Sequence, residues 1–286
     1  MEKNKVESST LYLVGTPIGN LADMTERAKK VLSEVDFIAA EDTRNSMRLL
    51  SAFGIKKELV SYFEHNKRES GERIVARLLS GESCALITDA GMPAISDPGE
   101  DIVRLCADAG ICVSVVPGPS AAVSALALSA LSTSRFAFEG FLPPKSSDRC
   151  RRLEKVKYDD KTLIFYEAPH KLKGTLKDMA EVFGEDRHIS LCRELTKLNE
   201  EVERLTLGGA VRLYDTKEPR GEYVLVVEGA PEGSAPAIHD EEILDPKAQV
   251  EKYISEGMSK MDAIKKVAKA CGVPKSEIYN LMIDEE

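Results

Sequence analysis

No uninterrupted apolar run in this chain approaches the ~18 residues of a membrane-spanning helix. The longest weakly polar stretch, Ala121 to Leu131, is short and rich in Ala and Ser, which predicts a closely packed helix of a soluble protein. The first residues, Met1 to Ser9, are charged and hold no apolar segment of the kind a secretory signal carries, so none is expected. The six cysteines, at 84, 106, 112, 150, 192 and 271, include no Cys-x-x-Cys pair and lie mostly in apolar segments. Reduced, buried thiols in a cytoplasmic protein are the expectation. With only four histidines a structural zinc site is not expected, and no metal site is assigned. Also missing are Gly-x-Gly-x-x-Gly and the Gly-Lys-Ser/Thr of a P-loop, which leaves dinucleotide and nucleoside triphosphate binding unsupported. Broad positive charge is lacking too. The formal net charge of −9 argues against a generic nucleic-acid coat protein and leaves room for a local basic face.

What is present is an alternation. With 286 residues, 43% hydrophobic and 30% charged, the chain has room for two domains of ordinary size and a small appendage. In the first half, apolar strand-like runs at Leu11–Val14, Phe37–Ala40, Leu59–Tyr62, Cys84–Ile87 and Cys112–Val116 are separated by helical patterns near Thr25–Leu32, Thr43–Ala52, Glu69–Leu79, Gly99–Ala109 and Ser120–Ala130. That spacing predicts βαβ units and a mainly parallel sheet. Gly54, Gly81 and Gly110 each fall just past a helix, where a left-handed cap is needed. A second block has strand candidates at Phe136–Glu139, Thr162–Tyr166, His188–Cys192, Val202–Thr206 and Tyr223–Val227, with helices near Arg149–Lys157, Leu172–Val182 and Gly209–Tyr214. It reads as a second α/β domain with a more mixed sheet.

The stretch from Gly229 to Asp240, rich in Gly, Pro, Ala and Ser, reads as a linker. From Asp245 to Met282 three short helices are predicted, with Ser259 and Asp262 as a capping box, Gly272 as a stop and Pro274 in a first turn. Such a unit resembles a helix-turn-helix. Seven Lys against eight Asp or Glu between Asp245 and Glu286 favour packing or docking over independent DNA reading. The expected boundaries are 10–133, 134–230 and 241–286.

Three loops carry the chemistry. Gly15-Thr16-Pro17-Ile18-Gly19-Asn20 follows the first strand, Thr88 to Gly99 follows the fourth, and Val116-Pro117-Gly118-Pro119-Ser120-Ala121-Ala122 follows the fifth. Each runs from a strand into a helix, where open α/β sheets build ligand sites, and glycine lets a ligand approach the backbone. Taken alone, the first loop is equally well a tight structural turn. In the second, Asp89 leaves the strand end and reads as a ligand contact, whereas Asp97, before Pro98 at a helix start, reads as a cap. Three such loops on one sheet edge weigh more than any one of them.

Together these loops resemble the tetrapyrrole methylase superfamily. Ala39-Ala40-Glu41-Asp42-Thr43-Arg44, Glu139 to Lys145, Phe165-Tyr166-Glu167-Ala168-Pro169-His170-Lys171 and Arg193-Glu194-Leu195-Thr196-Lys197 narrow the likeness to its branch of ribosomal RNA small subunit methyltransferases I. The likeness runs from about Leu11 to Gly229, with the tail similar to that branch's helix-turn-helix-like extension. Thr88, Met92 and Ala94 depart mildly from the expected Ser, Thr and Leu.

The resemblance implies two α/β domains with the cofactor cleft between them, plus a small C-terminal helical unit. It implies 2′-O-methylation of a cytidine in the decoding region of 16S rRNA, within the small ribosomal subunit and in the cytoplasm, with S-adenosyl-L-methionine as donor. A homodimer is implied as well, and the Ala/Ser-rich helix after Pro119 would permit close packing. Carried over by position, Thr16, Pro17, Asp89, Met92, Ser120, Ala121 and Tyr166 would hold the cofactor. Glu41, Asp42, Arg44 and Glu194 would form the catalytic set, with a salt-bridge network to Arg44 and Arg193 as the structural alternative for the carboxylates. Lys145, Arg149, Arg151, Arg152, Arg193 and Lys197 would bind RNA. Between positions 145 and 157 six basic residues stand against two acidic ones, so phosphate contact and a solvated helix face compete there. His170 is a candidate base or a cap. Phe63, Phe141 and Tyr166 are candidates for stacking a splayed nucleotide. Two other readings are a small-molecule methylase of the same superfamily, acting on a tetrapyrrole, and a non-catalytic ribosome-binding factor.

Overall fold

The computed structural model describes residues 5–231, 233–234, 246–271 and 273–282. Its first sheet is built from β1 (Thr10–Val14), β2 (Phe37–Ala40), β3 (Glu58–Ser61), β4 (Cys84–Ile87) and β5 (Cys112–Val116). The strands are parallel, in the order β3-β2-β4-β1-β5. Parallel strands need crossovers, supplied by α1 (Glu26–Glu34), α2 (Thr43–Ala52), α3 (Lys67–Leu79) and α4 (Glu100–Asp108). Alternation along each strand divides the core. Tyr12, Val14, Ile38, Ala40, Ala85 and Ile87 face α1 and α2. Leu11, Phe37, Ala39, Cys84 and Leu86 meet Ile74 and Leu78 of α3 and Ile102 and Cys106 of α4. Burial on both faces explains why the inner strands β1, β2 and β4 read as continuous apolar runs. Gly54, Gly81 and Gly110 have φ of 69°, 104° and 69°, the left-handed caps expected of them.

The strand order sets the function. β4 and β5 flank β1, and β2 lies beyond β4, so the chain leaves β2, β4, β1 and β5 at one row of carboxyl ends. All three Gly/Pro-rich loops therefore meet, beside Glu41 and Asp42 at the exit of β2.

The second sheet, β6 (Phe136–Phe141), β7 (Thr162–Glu167), β8 (His188–Arg193), β9 (Glu201–Thr206) and β10 (Tyr223–Val227), has the order β6-β7-β10-β8-β9. Only β6 and β7 pair in parallel, with a register shift between Phe138 and Gly140, so the sheet is mixed as predicted. One face packs on α6 (Ser146–Val156), α7 (Pro169–Phe183) and α8 (Leu207–Thr216) through Leu153, Leu172, Leu176, Met179, Ala210 and Tyr214. The other is covered by α5 (Ala121–Leu128), which follows β5 of the first sheet: Ala122, Ala125 and Leu126 pack on Ile164, Cys192, Val224 and Val226. The small residues of this helix are thus used inside the chain, and they no longer argue for a dimer contact.

Both sheets fall in one compact unit that extends through Pro231. A separate unit holds α9 (Pro246–Ser255), α10 (Lys260–Cys271) and α11 (Lys275–Leu281) around Val250, Ile264, Val267 and Ile278. At the start of α10 the Asp262 amide donates to Ser259 Oγ at 3.2 Å, one half of the expected box. Pro274 stands just ahead of α11 rather than in its first turn. Within the expected linker, residues 232 and 235–240 lie outside the described residues, as do positions 241–245 and the predicted stop at Gly272. Cys84, Cys106 and Cys192 are buried, but Cys112 and Cys271 are exposed, which corrects the expectation for those two. Among the described residues no helix is long and apolar enough to cross a membrane.

Candidate functional site

Thr16 ties the first two loops together. Its amide donates to the Gly91 carbonyl at 2.8 Å and the Gly91 amide donates back at 3.1 Å. The fully buried Thr16 hydroxyl donates to the Thr88 carbonyl at 3.2 Å. The first and third loops touch backbone to backbone: a Cβ on Gly15 would lie 2.7 Å from Gly118 Cα and 2.7 Å from Met92 Sδ. No side chain fits at either glycine, so both are fixed by close approach.

The second loop is held in an irregular shape. Gly91, Ala94, Ser96 and Gly99 have φ of 83°, 68°, 64° and 152°. For Ala94 and Ser96 the left-handed region costs about 1–2 kcal/mol each. A Cβ on Gly99 would come within 2.8 Å of Ala94 Cβ. This turn changes the role of Asp97. The cap of α4 is Gly99, and no side chain bonds the first turn, so Asp97 is not the helix cap the sequence suggested. Its carboxyl is half-buried beside the Thr88 hydroxyl, with Glu41 and Asp89 nearby. Burial first and the Glu41 charge second push it up to about 6, against the Thr88 hydrogen bond. Thr88 Oγ1 donates to Glu41 Oε2 at 2.8 Å. Asp89 Oδ2 accepts from Asn45 Nδ2 at 2.9 Å.

Asp42 is spoken for. It caps α2, accepting from the Arg44 amide at 2.8 Å, and pairs with the Arg44 guanidinium at 3.0 Å. The Arg44 side-chain and backbone hydrogen bonds hold it at about 2. Glu194 is likewise engaged: Oε1 accepts from Lys197 Nζ at 2.9 Å and from the Glu222 amide at 3.0 Å, and its carboxylate lies over Gly221. Burial opposes ionisation there, but the Glu222 amide and Lys197 outweigh it and keep Glu194 below the usual range. Arg193 pairs with Glu201 at 2.9 Å, not with Glu194. The catalytic set expected from sequence therefore separates. Glu41 stands at the loops, while Asp42, Arg44 and Glu194 are bound up in caps and ion pairs.

The second sheet closes the far side. Gly140, at the β6 irregularity with φ 65°, places Ser96 Oγ 3.4 Å from where its Cβ would be. Tyr166 sits edge-on between Phe138 at 5.0 Å and Phe141 at 5.4 Å. Burial raises its phenol, the Ala122 amide lowers it, and the Asp97 charge raises it, for a net rise. Tyr166 therefore lies between the start of α5 and the second loop. Ser120 heads α5 without a side-chain cap bond, and Ala121 packs partly against the second sheet. Pro17 and Met92 stand in the joined loops. Phe63 pairs edge-on with His65 at 6.2 Å.

The predicted RNA contacts divide as well. Arg149 is buried, its Nε 2.6 Å from Asp178 and its Nη1 3.1 Å from the Pro144 carbonyl, so it is a structural ion pair and not a phosphate contact. Arg152 pairs with Glu139, and Lys197 lays its methylenes over Gly19 while bridging Glu194 and Glu222. Lys145 is exposed just ahead of α6, and Arg151 is exposed on it, 3.3 Å from Asp148. His170 is exposed in the first turn of α7, which has no side-chain cap. Sequence reasoning missed the joint role of Thr88 and Asp97. The signal was slight, since nothing in Ala94-Ile95-Ser96 announces left-handed turns.

Residues 10–211 match the family described as Tetrapyrrole (Corrin/Porphyrin) Methylases. The chain is 50% identical to ribosomal RNA small subunit methyltransferase I of Halalkalibacterium halodurans, over 98% of this chain and 96% of that one. It is 46% identical to the protein of the same name from Bacillus subtilis, over 96% and 94%. Among solved structures it superposes on a cobalt precorrin-4 methyltransferase with a TM-score of 0.56 at 17% identity, over 77% of this chain and 95% of the other. At that identity the likeness concerns the fold. The chain belongs to the tetrapyrrole methylase family and, within it, to the group of the ribosomal RNA small subunit methyltransferases I.

Proposed function

We propose that this protein transfers a methyl group from S-adenosyl-L-methionine to 16S rRNA of the small ribosomal subunit, at the ribose 2′ hydroxyl of a cytidine in the decoding region. It does so in the cytoplasm, as a homodimer. The observation that carries the reading is the meeting of three glycine-bearing loops beside Glu41, Asp89 and Asp97, in a chain whose near full-length relatives bear the name of rRNA methyltransferases.

The residues present suit the cofactor. Thr16, Pro17, Asp89 and Met92 stand in the joined loops, Ser120 and Ala121 at the start of α5 and Tyr166 beside it, and these residues would hold it. The three carboxyls complement a sulfonium charge in a partly desolvated setting, and the start of α5, free of a side-chain cap, suits an amino-acid carboxylate. When bound, the sulfonium supplies an electrophilic methyl group. The chain's own work is to hold the ribose hydroxyl in line with that methyl and to take its proton as the new C–O bond forms. Asp97, half-buried beside the Thr88 hydroxyl that donates to Glu41, accepts it in this reading, and its elevated proton affinity suits a base near neutral pH. Asp42 and Glu194 keep the surrounding backbone in shape. Lys145, just ahead of α6, and Arg151 on it meet RNA phosphates.

The experiment incubates the protein with methyl-labelled cofactor and small subunits that lack the modification. Label is expected in 16S rRNA, on a nucleotide resistant to alkaline cleavage on its 3′ side. Labelled base, or no label, overturns the reading.

A further inference from the structure

Beside the cofactor loops runs a groove of about 310 Å³ that shares Pro17 and Asp89 with the cofactor reading and whose side along α2 that reading does not use. Its walls come from Pro17 and Leu21 on one side and from α2, through Asn45, Ser46, Arg48 and Leu49, on the other. Thr88 and Asp89 close its inner end, so it shares a wall with the three-loop site. It takes nothing from the third loop or from Tyr166, which the cofactor reading requires. The volume lies at the lower limit of ligand pockets and suits one planar ring system with part of its sugar.

Three observations specify the occupant. Ser46 is 3% exposed, yet its hydroxyl has no hydrogen-bond partner among the described residues. Buried hydroxyls are rarely left so, and rotation about one bond would turn this one toward a ligand at the groove floor. Asn45 donates one N–H to Asp89 and keeps its other N–H and its carbonyl for a ligand, a paired donor and acceptor of the kind that reads a base edge. Arg48 has no ion-pair partner among the described residues and is exposed at the groove, where a guanidinium plane can cover a ring. Leu21, 51% exposed, offers the opposite apolar wall. A flat ring with a hydrogen-bonding edge, covered on its faces and attached to a polyanion, meets all three conditions.

We infer that this groove between the first loop and α2 holds one unstacked nucleobase of the substrate RNA, read along its edge by Asn45 and Ser46 and covered by Arg48. The inference rests on the proposed RNA methylation. It adds a specificity pocket next to the reacting ribose, so that the ring is fixed while the hydroxyl is held at the carboxyls.

The test uses the full chain with Ser46→Ala and, to fill the groove from the exposed position 52, Ala52→Trp. Cofactor affinity is read by calorimetry, and methyl transfer to unmodified small subunits by label. Wild-type transfer checks the underlying reading separately, because its absence would sink the proposed function whatever the variants do. Both variants are expected to bind cofactor as wild type does and to lose kcat/KM for RNA, on the order of tenfold to a hundredfold. Ser46→Ala should melt no lower than wild type, since it removes an unpartnered hydroxyl. Unchanged kcat/KM for RNA overturns the inference. So does a parallel loss of cofactor affinity, which would make the groove part of the cofactor site.

Discussion

Asp97 carries a carboxyl that the fold makes costly to ionise, because burial and the neighbouring Glu41 and Asp89 all favour the neutral form. Its folded value, about 6, lies above the ordinary 3.8, so the native state binds the proton more tightly than the unfolded chain. The stability this supplies is complete below the ordinary value and is lost as pH rises through about 6. Asp97→Asn should therefore flatten the decline in stability between pH 4 and 7, measured by chemical denaturation, and leave the variant more stable than wild type above pH 6. The same change should remove the acidic limb of the rate profile and lower kcat on the order of 10²-fold. Arg149 makes the opposite case. Its buried pair with Asp178 predicts that Arg149→Ala costs about 3–5 kcal/mol in denaturant melts, without a selective loss of RNA affinity. Arg149 was open to this reading in the sequence: it shares a helical face with Leu153 and Val156, at i+4 and i+7. A count of basic residues cannot see that face. Asp97 was not open to it, because its surroundings come from β2, β4 and β7.

Between elements, the decisive contact is Gly15 against Gly118. Adding one methyl group at Gly118 would place it 2.8 Å from Gly15 Cα and separate the first and third loops. Gly118→Ala should lower stability by about 1–3 kcal/mol, as overpacking does. It should weaken cofactor binding by at least the same proportion, measured by calorimetry. The strands themselves were legible. Phe37–Ala40, Cys84–Ile87 and Tyr223–Val227 are buried on both faces, which leaves an unbroken apolar run bounded by turn residues. The loops were legible as places but not as shapes, since Ala94 and Ser96 adopt positive φ against their intrinsic preference. The use of α5 was also hidden. Its Ala/Ser pattern announces close packing, but only the arrangement of the sheets decides that the partner is β7 and β10 of the same chain.

At the scale of the whole molecule, a chain of net charge −9 must meet a polyanion through a small cationic area. Of the six basic residues expected at RNA, Arg149 is inside the core and Arg152, Arg193 and Lys197 are in part-buried ion pairs, which leaves Lys145 and Arg151, the latter exposed beside Asp148 at 3.3 Å. Lys145→Glu and Arg151→Glu should weaken RNA binding across salt concentrations and reduce the salt slope by about one for each phosphate no longer neutralised. Cofactor affinity should stay unchanged, because neither side chain lies at the loops. The central claim is that carboxyls gathered around Thr88 serve methyl transfer to an RNA ribose hydroxyl. Single-turnover transfer of labelled methyl to unmodified small subunits, followed across pH 5–8 for wild type and Asp97→Asn, tests it most directly. The account predicts label on one ribose of 16S rRNA, with a wild-type rate that is half-maximal near pH 6 and levels off above it, and a variant that shows no such rise. Label absent from the ribose, or the same pH profile in both proteins, would contradict it.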